Sequence, residues 1–112
     1  NTQKFKGNEE IAKIIKYIGN NYSDALSSKQ LSEKFGFSLS YFCRIFKNTV
    51  GETPINYVNA VRINKACELL QKTSLPVTEV AGAVGYTGIN YFNRQFKKIM
   101  KCTPLQLRNR HP

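Results

Sequence analysis

The chain is poor in the residues that build catalytic and metal sites. It has one histidine, His111, beside the C-terminal end, and one aspartate, Asp24. Its three cysteines, Cys43, Cys67 and Cys102, are an odd number at wide spacing, with no CxxC pair. A disulfide framework or a zinc site needs closer grouping. Zinc chemistry, a His-assisted nucleophile and paired-carboxylate chemistry all lack their parts. This points away from an enzyme and from any cofactor. No apolar run approaches the ~18 residues of a membrane-spanning helix. The opening Asn1-Thr2-Gln3-Lys4-Phe5-Lys6-Gly7 has no apolar segment of the signal-peptide kind. An initiator methionine is also missing, so the expectation is a fragment of a longer protein, and the cysteine pattern suits a reducing, intracellular setting.

Acidic residues are scarce and unevenly spread. Among 112 residues, 17 are Lys or Arg and 7 are Asp or Glu, for a net charge of +10. Residues 1–56 hold eight basic and five acidic groups; residues 57–112 hold nine and two, with no acid after Glu79. Such a surplus suits a polyanion: nucleic acid, or an anionic membrane surface. Apolar residues at 41% and aromatics at 12% are enough for a packed core.

The pattern is helical nearly throughout, and no strand pattern competes. Ile11, Ile14, Ile15 and Ile18 form an amphipathic stripe that weakens at Gly19-Asn20-Asn21. Ser27 and Gln30 read as a capping box opening a short helix through Lys34, with Gly36 as the left-handed residue behind it. Ser38 caps a third helix, about Leu39–Thr49, ended by Gly51. Thr53-Pro54 opens a long helix to about Lys72, expected to bury Val58, Val61, Ala66, Leu69 and Leu70. After a loop at Thr73-Ser74-Leu75-Pro76 come helices over about Val77–Val84 and Ile89–Met100, then a last one opened by Thr103-Pro104.

The chain repeats itself. Tyr41-Phe42-x-Arg44-x-Phe46-Lys47 recurs 50 residues later as Tyr91-Phe92-x-Arg94-x-Phe96-Lys97, and Thr53-Pro54 recurs as Thr103-Pro104. Upstream, Leu31-Ser32 and Gly36-Phe37 match Val80-Ala81 and Gly85-Tyr86 at a displacement of 49. Each copy is a short helix, a glycine turn and a longer helix, which is a helix-turn-helix pattern. Gly82 and Gly85 also fit the GxxG loop of a KH domain, but that fold needs strands. The plainer expectation is that Gly82 permits close helix packing and Gly85 ends a helix.

On a helical wheel, Phe42, Ile45, Phe46 and Thr49 fall on one side of the third helix, and Ser40, Cys43, Arg44 and Lys47 on the other. In the second copy Phe92, Phe96 and Ile99 face inward; Asn90, Asn93, Arg94 and Lys97 face outward. Arg can bond two atoms of a guanine edge and Asn two of an adenine edge in the major groove. Lys, Ser, Thr and helix N-terminal amides suit phosphates. Asn90, Asn93 and Arg94 in the second copy and Arg44 in the first are therefore the strong candidate base readers, and Ser40 and Cys43 are weak ones. Ser38, Lys47, Thr87, Lys97 and Lys98 are the candidate phosphate contacts. Arg44 has Glu33 or Glu52 as alternative partners. Tyr41 and Tyr91 are expected to pack with wet hydroxyls, Cys43 to be an exposed thiol, and Cys67 a core or boundary filler.

Over about residues 8–109 the chain resembles the DNA-binding domain of the AraC/XylS family of bacterial transcription regulators. The resemblance rests on Leu31-Ser32, Ser38-x-x-Tyr41-Phe42-x-Arg44-x-Phe46-Lys47-x3-Gly51, Tyr57, Arg62, Ala66 and Leu69-Leu70. It continues through Val80-Ala81-x3-Gly85-Tyr86-x4-Tyr91-Phe92-x-Arg94-x-Phe96-Lys97-Lys98, Pro104 and Arg108. It implies an all-α fold of seven helices in two helix-turn-helix subdomains, here 8–52 and 74–112, bridged by a long helix over 53–73, with 1–7 a linker stub. It also implies third and sixth helices in successive major grooves of promoter DNA, commonly activating transcription through RNA polymerase. The implied setting is the bacterial cytoplasm, without a membrane. The domain would be monomeric and its parent possibly dimeric through a missing regulatory domain. Lys101, Gly88, Leu107 and Ser32 depart from the family pattern, where a Gly, an Asp or Ser cap, an aromatic and an Ala are usual.

Two other classes compete. One is an adaptor whose basic face meets an acidic protein or membrane; the other is shape-selective binding of RNA. The placement of basic residues opposite aromatic stripes on two matched helices disfavours the adaptor, and the absence of an RNA-binding fold pattern disfavours RNA.

Overall fold

The computed structural model describes residues 2–110, with side chains from Gly7 onward. Asn1, His111 and Pro112 lie outside the described residues, as do the outer ends of the expected linker stub and second subdomain. Seven helices follow in order: α1 (Thr2–Asn21), α2 (Ser28–Lys34), α3 (Leu39–Val50), α4 (Pro54–Lys72), α5 (Val77–Ala83), α6 (Ile89–Met100) and α7 (Pro104–Asn109). The described residues contain no strand.

Local chemistry explains most of the boundaries. Ser27 Oγ accepts from the Gln30 amide and Gln30 Oε1 accepts from the Ser27 amide, closing the capping box of α2. Thr103 and Gln106 close the same box at α7. Ser38 caps α3 through the Tyr41 amide, and Thr53 caps α4 through the Asn56 amide. These bonds satisfy amides that an isolated helix leaves without partners. Gly51 ends α3 at φ 91°, a left-handed conformation that costs glycine little.

Several expectations shift. α1 starts at Thr2 instead of after a linker, and Gly7 is buried in it, where a Cβ would stand 2.5 Å from Ile45 Cδ1. The helix also continues through Gly19 and Asn20 to Asn21, whose side chain bonds back to the Tyr17 carbonyl. α5 stops at Ala83, one residue early. A Cβ on Gly82 would meet open space, so that glycine permits no close packing.

The described residues fall into two compact units that divide between Val58 and Asn59. The division lies inside α4, where the resemblance implies a bridging element over 53–73. In the first unit α3 packs on α1 and α2, and Ile11, Ile14, Ile18, Leu31, Phe42, Phe46 and Val58 are buried. In the second, α6 packs on α5 and α7, around Ile63, Leu70, Val80, Phe92 and Phe96. Val61 and Leu69 are only half-buried, and α4 instead buries Asn59, Arg62 and Ile63. Thr49, expected inside, is exposed; Ile45 and Ile99 are half-buried.

Lys101 closes α6 at φ 64°, the one positive φ outside glycine among the described residues. An L-residue there carries a steric cost of about 1–2 kcal/mol that glycine avoids. Lys101 is exposed, so Lys101→Gly is expected to stabilise the domain by about 1 kcal/mol in urea denaturation.

Candidate nucleic-acid interface

The outward faces of α3 and α6 are fixed by what their inward faces bury. In α3, Phe42 and Phe46 are one turn apart, fully buried, with ring centroids 5.7 Å apart. In α6, Phe92 and Phe96 repeat that spacing and burial, also at 5.7 Å. Rotation of either helix would expose two phenylalanines, each worth several kcal/mol in a core. Ser40, Arg44 and Lys47 therefore face solvent on α3, and Asn90, Asn93, Arg94, Lys97 and Lys98 on α6. Ser38 and Thr87, each just before its helix, are exposed too. Cys43 is half-buried instead of exposed, which leaves its sulfur a smaller part in any contact.

Neither arginine is spent on a carboxylate among the described residues. Glu52 instead accepts a hydrogen bond from the Asn56 side chain. The Arg44 guanidinium lies over the Tyr41 ring at 5.5 Å, and Arg94 lies over Tyr91 at 5.8 Å. Each charge thus rests on the face of an aromatic ring three residues back, its donors open to solvent. The α6 N-terminus also differs from that of α3. Gly88 supplies no side-chain cap, so the first amides of α6 keep donors available to an anion, beside the hydroxyl of Thr87. Asn93 and Lys97 border a cleft of about 490 Å3 whose apolar wall is Val77, Ile89, Pro104 and Leu105.

A buried polar cluster supports α6 from behind. The Tyr86 hydroxyl donates to Asn59 Oδ1 at 2.6 Å, and Asn59 Nδ2 donates to the Tyr91 hydroxyl at 3.0 Å. The Tyr91 hydroxyl is thus held, where the sequence suggested a wet one. Arg62 lies over the Tyr86 ring at 5.4 Å. Burial pushes the Tyr86 phenol up to about 12, against the pull of Arg62, and burial lowers the Arg62 guanidinium. Burial likewise raises the Cys67 thiol, with Cys102 nearby adding to it, so the thiol form is favoured. Asn59 escaped the sequence reading, because a mid-helix Asn looks like surface, and Tyr86 entered it only as a position of the repeat and the family pattern. The available signal was Tyr86 itself, a hydroxyl where the first copy has Phe37. Arg108 Nε donates to the Leu70 carbonyl, tying α7 to α4 within the second unit.

Among the described residues no cluster of His, Cys, Asp and Glu could hold a metal ion, and no helix is long and apolar enough to cross a membrane. A family profile described as a helix-turn-helix domain matches residues 31–110. The C-terminal domain of AraT, a response regulator from Geobacillus stearothermophilus, superposes with a TM-score of 0.87 at 33% identity, over 91% of this chain and 85% of that one. The chain belongs to the AraC/XylS family of helix-turn-helix DNA-binding domains. Two curated relatives in the family are regulators by name. The uncharacterized HTH-type transcriptional regulator YdiP of Escherichia coli K12 is 36% identical over 98 residues, 88% of this chain and 32% of that protein. The HTH-type transcriptional activator RhaS of Pectobacterium carotovorum is 31% identical over 96 residues, 86% of this chain and 34% of that protein. The chain thus spans about a third of the length of the curated relatives it matches. These AraC/XylS relatives are transcription regulators, not enzymes.

The Tyr86 phenol predicts a pH dependence. Its folded pKa lies above the 10.0 of a free phenol. The folded state therefore holds the proton more tightly, and that stability is complete below pH 10 and lost as pH rises through about 12. Tyr86→Phe should cost about 1–3 kcal/mol at neutral pH, by leaving Asn59 Oδ1 unpaired. The gap between wild type and Tyr86→Phe should narrow above pH 10 in urea denaturation.

Proposed function

We propose that this domain reads a specific double-stranded promoter sequence with both copies of its repeat. In this reading α3 and α6 enter successive major grooves. Ser40, Cys43 and Arg44 face one set of base edges, with Arg44 the principal reader; Asn90, Asn93 and Arg94 face the other. Ser38, Lys47, Thr87, Lys97 and Lys98 meet phosphates. One observation carries the reading: the same aromatic pair, at the same ring spacing, turns the same Arg and Lys outward on both helices. A structural scaffold has no need to repeat its exposed arginine along with its core.

Two readers in one chain reach grooves about 34 Å apart along one DNA face without a dimer. Covalent linkage raises the effective concentration of the second reader once the first is seated. The subdomains 8–52 and 74–112, joined by 53–73, are the two reading units, and the domain acts as a monomer. The likeness to an activator and to the C-terminal part of a response regulator supports a larger parent protein. That parent carries a sensing, dimerising or phosphate-receiving domain and activates transcription in the bacterial cytoplasm by contact with RNA polymerase. The absence of acids after Glu79 leaves α6 and α7 with basic charges alone, which favours a polyanion on that part of the second unit.

Fluorescence anisotropy with a selected site and an unrelated duplex, at two salt concentrations, tests the reading. Arg94→Ala and Asn93→Ala should each cost about 1–3 kcal/mol on the selected site and relax preference at one base pair. Lys47→Ala and Lys98→Ala should weaken both duplexes alike and reduce the salt slope by about one. Equal binding of both duplexes by wild type would discard sequence reading and favour a nonspecific polyanion binder.

A further inference from the structure

We infer that Asn59 and Tyr86 are positioning residues for DNA readout, acting through Tyr91 on Arg94. The inference rests on the assignment of Arg94 as a base reader. Tyr86 fixes the Asn59 amide by donating to its Oδ1, so that Nδ2 is turned toward Tyr91 and donates to its hydroxyl. The two tyrosine rings also meet directly, with centroids 5.8 Å apart. Tyr91 is therefore held at its hydroxyl and along its ring, although it is 39% exposed. Its ring is the surface on which the Arg94 guanidinium rests. An arginine side chain has four rotatable bonds to restrain before its planar fork can meet a guanine edge. A fixed aromatic platform removes part of that freedom before DNA arrives.

The first copy sharpens the argument. Tyr41 supports Arg44 at a similar distance, but its neighbour in the place of Tyr86 is Phe37, with centroids 5.5 Å apart. Phe37 has no hydroxyl and cannot direct an amide. The platform under Arg44 has ring packing at that neighbour, while the platform under Arg94 has ring packing and a two-bond chain. The second unit is accordingly the more stringent reader of its pair.

A double-mutant cycle tests this. Tyr91→Phe keeps the ring and the exposed position while removing the hydroxyl that Asn59 holds. Its effect is measured with and without Arg94→Ala, on duplexes that vary the base pair whose preference Arg94→Ala relaxes. Thermal denaturation of each variant runs alongside, and Asn59→Leu serves as a second probe, since it keeps the volume but can neither donate to Tyr91 nor accept from its hydroxyl. Tyr91→Phe is expected to reduce discrimination at that base pair about two- to fivefold, with affinity for unrelated DNA unchanged. In the Arg94→Ala background it should cause no further loss. Asn59→Leu should reproduce the loss of discrimination. Equal weakening on all duplexes, or a loss that adds fully to that of Arg94→Ala, would reduce the cluster to a structural role and overturn the inference. If Arg94→Ala relaxes no base preference, the base-reading assignment fails and the inference with it. If Arg94→Ala relaxes the preference while Tyr91→Phe does not, only the positioning role falls.

Discussion

The burial of two phenylalanines one helical turn apart is the constraint on which the rest depends. Phe42 and Phe46 fix the rotation of α3, and Phe92 and Phe96 fix that of α6. With 100° between successive residues, burying positions i and i+4 leaves i+2 and i+5 on the opposite side. Arg44 and Lys47, and Arg94 and Lys97, occupy those positions. The outward chemistry is therefore a geometric consequence of an inward one. Side chains that contribute nothing to the core are held in place by those that do.

The two copies share this constraint and differ in how they finish it. α3 begins with a serine cap and ends at a left-handed glycine; α6 begins at an uncapped Gly88 and ends at Lys101 in a conformation that suits glycine better. Local terms thus favour α3. The second unit adds tertiary ones: the Tyr86–Asn59–Tyr91 chain and the Arg108 bonds to the Leu70 and Thr73 carbonyls. Its polar groups are matched as well as buried, since no buried side-chain nitrogen or oxygen among the described residues lacks a partner. A matched polar cluster specifies one arrangement where an apolar filling tolerates several.

Elements announced by a cap were readable in the sequence almost to the residue. Ser27 with Gln30, Ser38 and Thr103 before Pro104 each name a cap that forms within a few positions, and each cap bond is present. The repeat located the phenylalanine pairs for the same reason, since position on a single helix decides their face. Legibility failed where burial depends on distant partners. Asn59 and Arg62 are buried because Tyr86 and Tyr91, some thirty residues away, meet them. Thr49 sits on the expected inner side of α3 but is exposed, since a wheel gives a side chain's direction and not whether another element covers it. The resemblance implies a linker over 1–7, yet Ile45 packs on Gly7.

Selection of binding sites from a fully randomised duplex pool, using the intact domain, most directly tests the claim that both repeats read sequence. The account predicts an enriched motif of two boxes whose centres lie about one helical turn, ~10.5 base pairs, apart. One box should lose its definition when Arg44 is replaced by alanine, and the other when Arg94 is. A motif of a single box, unaffected by one of the two substitutions, would contradict the account by leaving one repeat a scaffold.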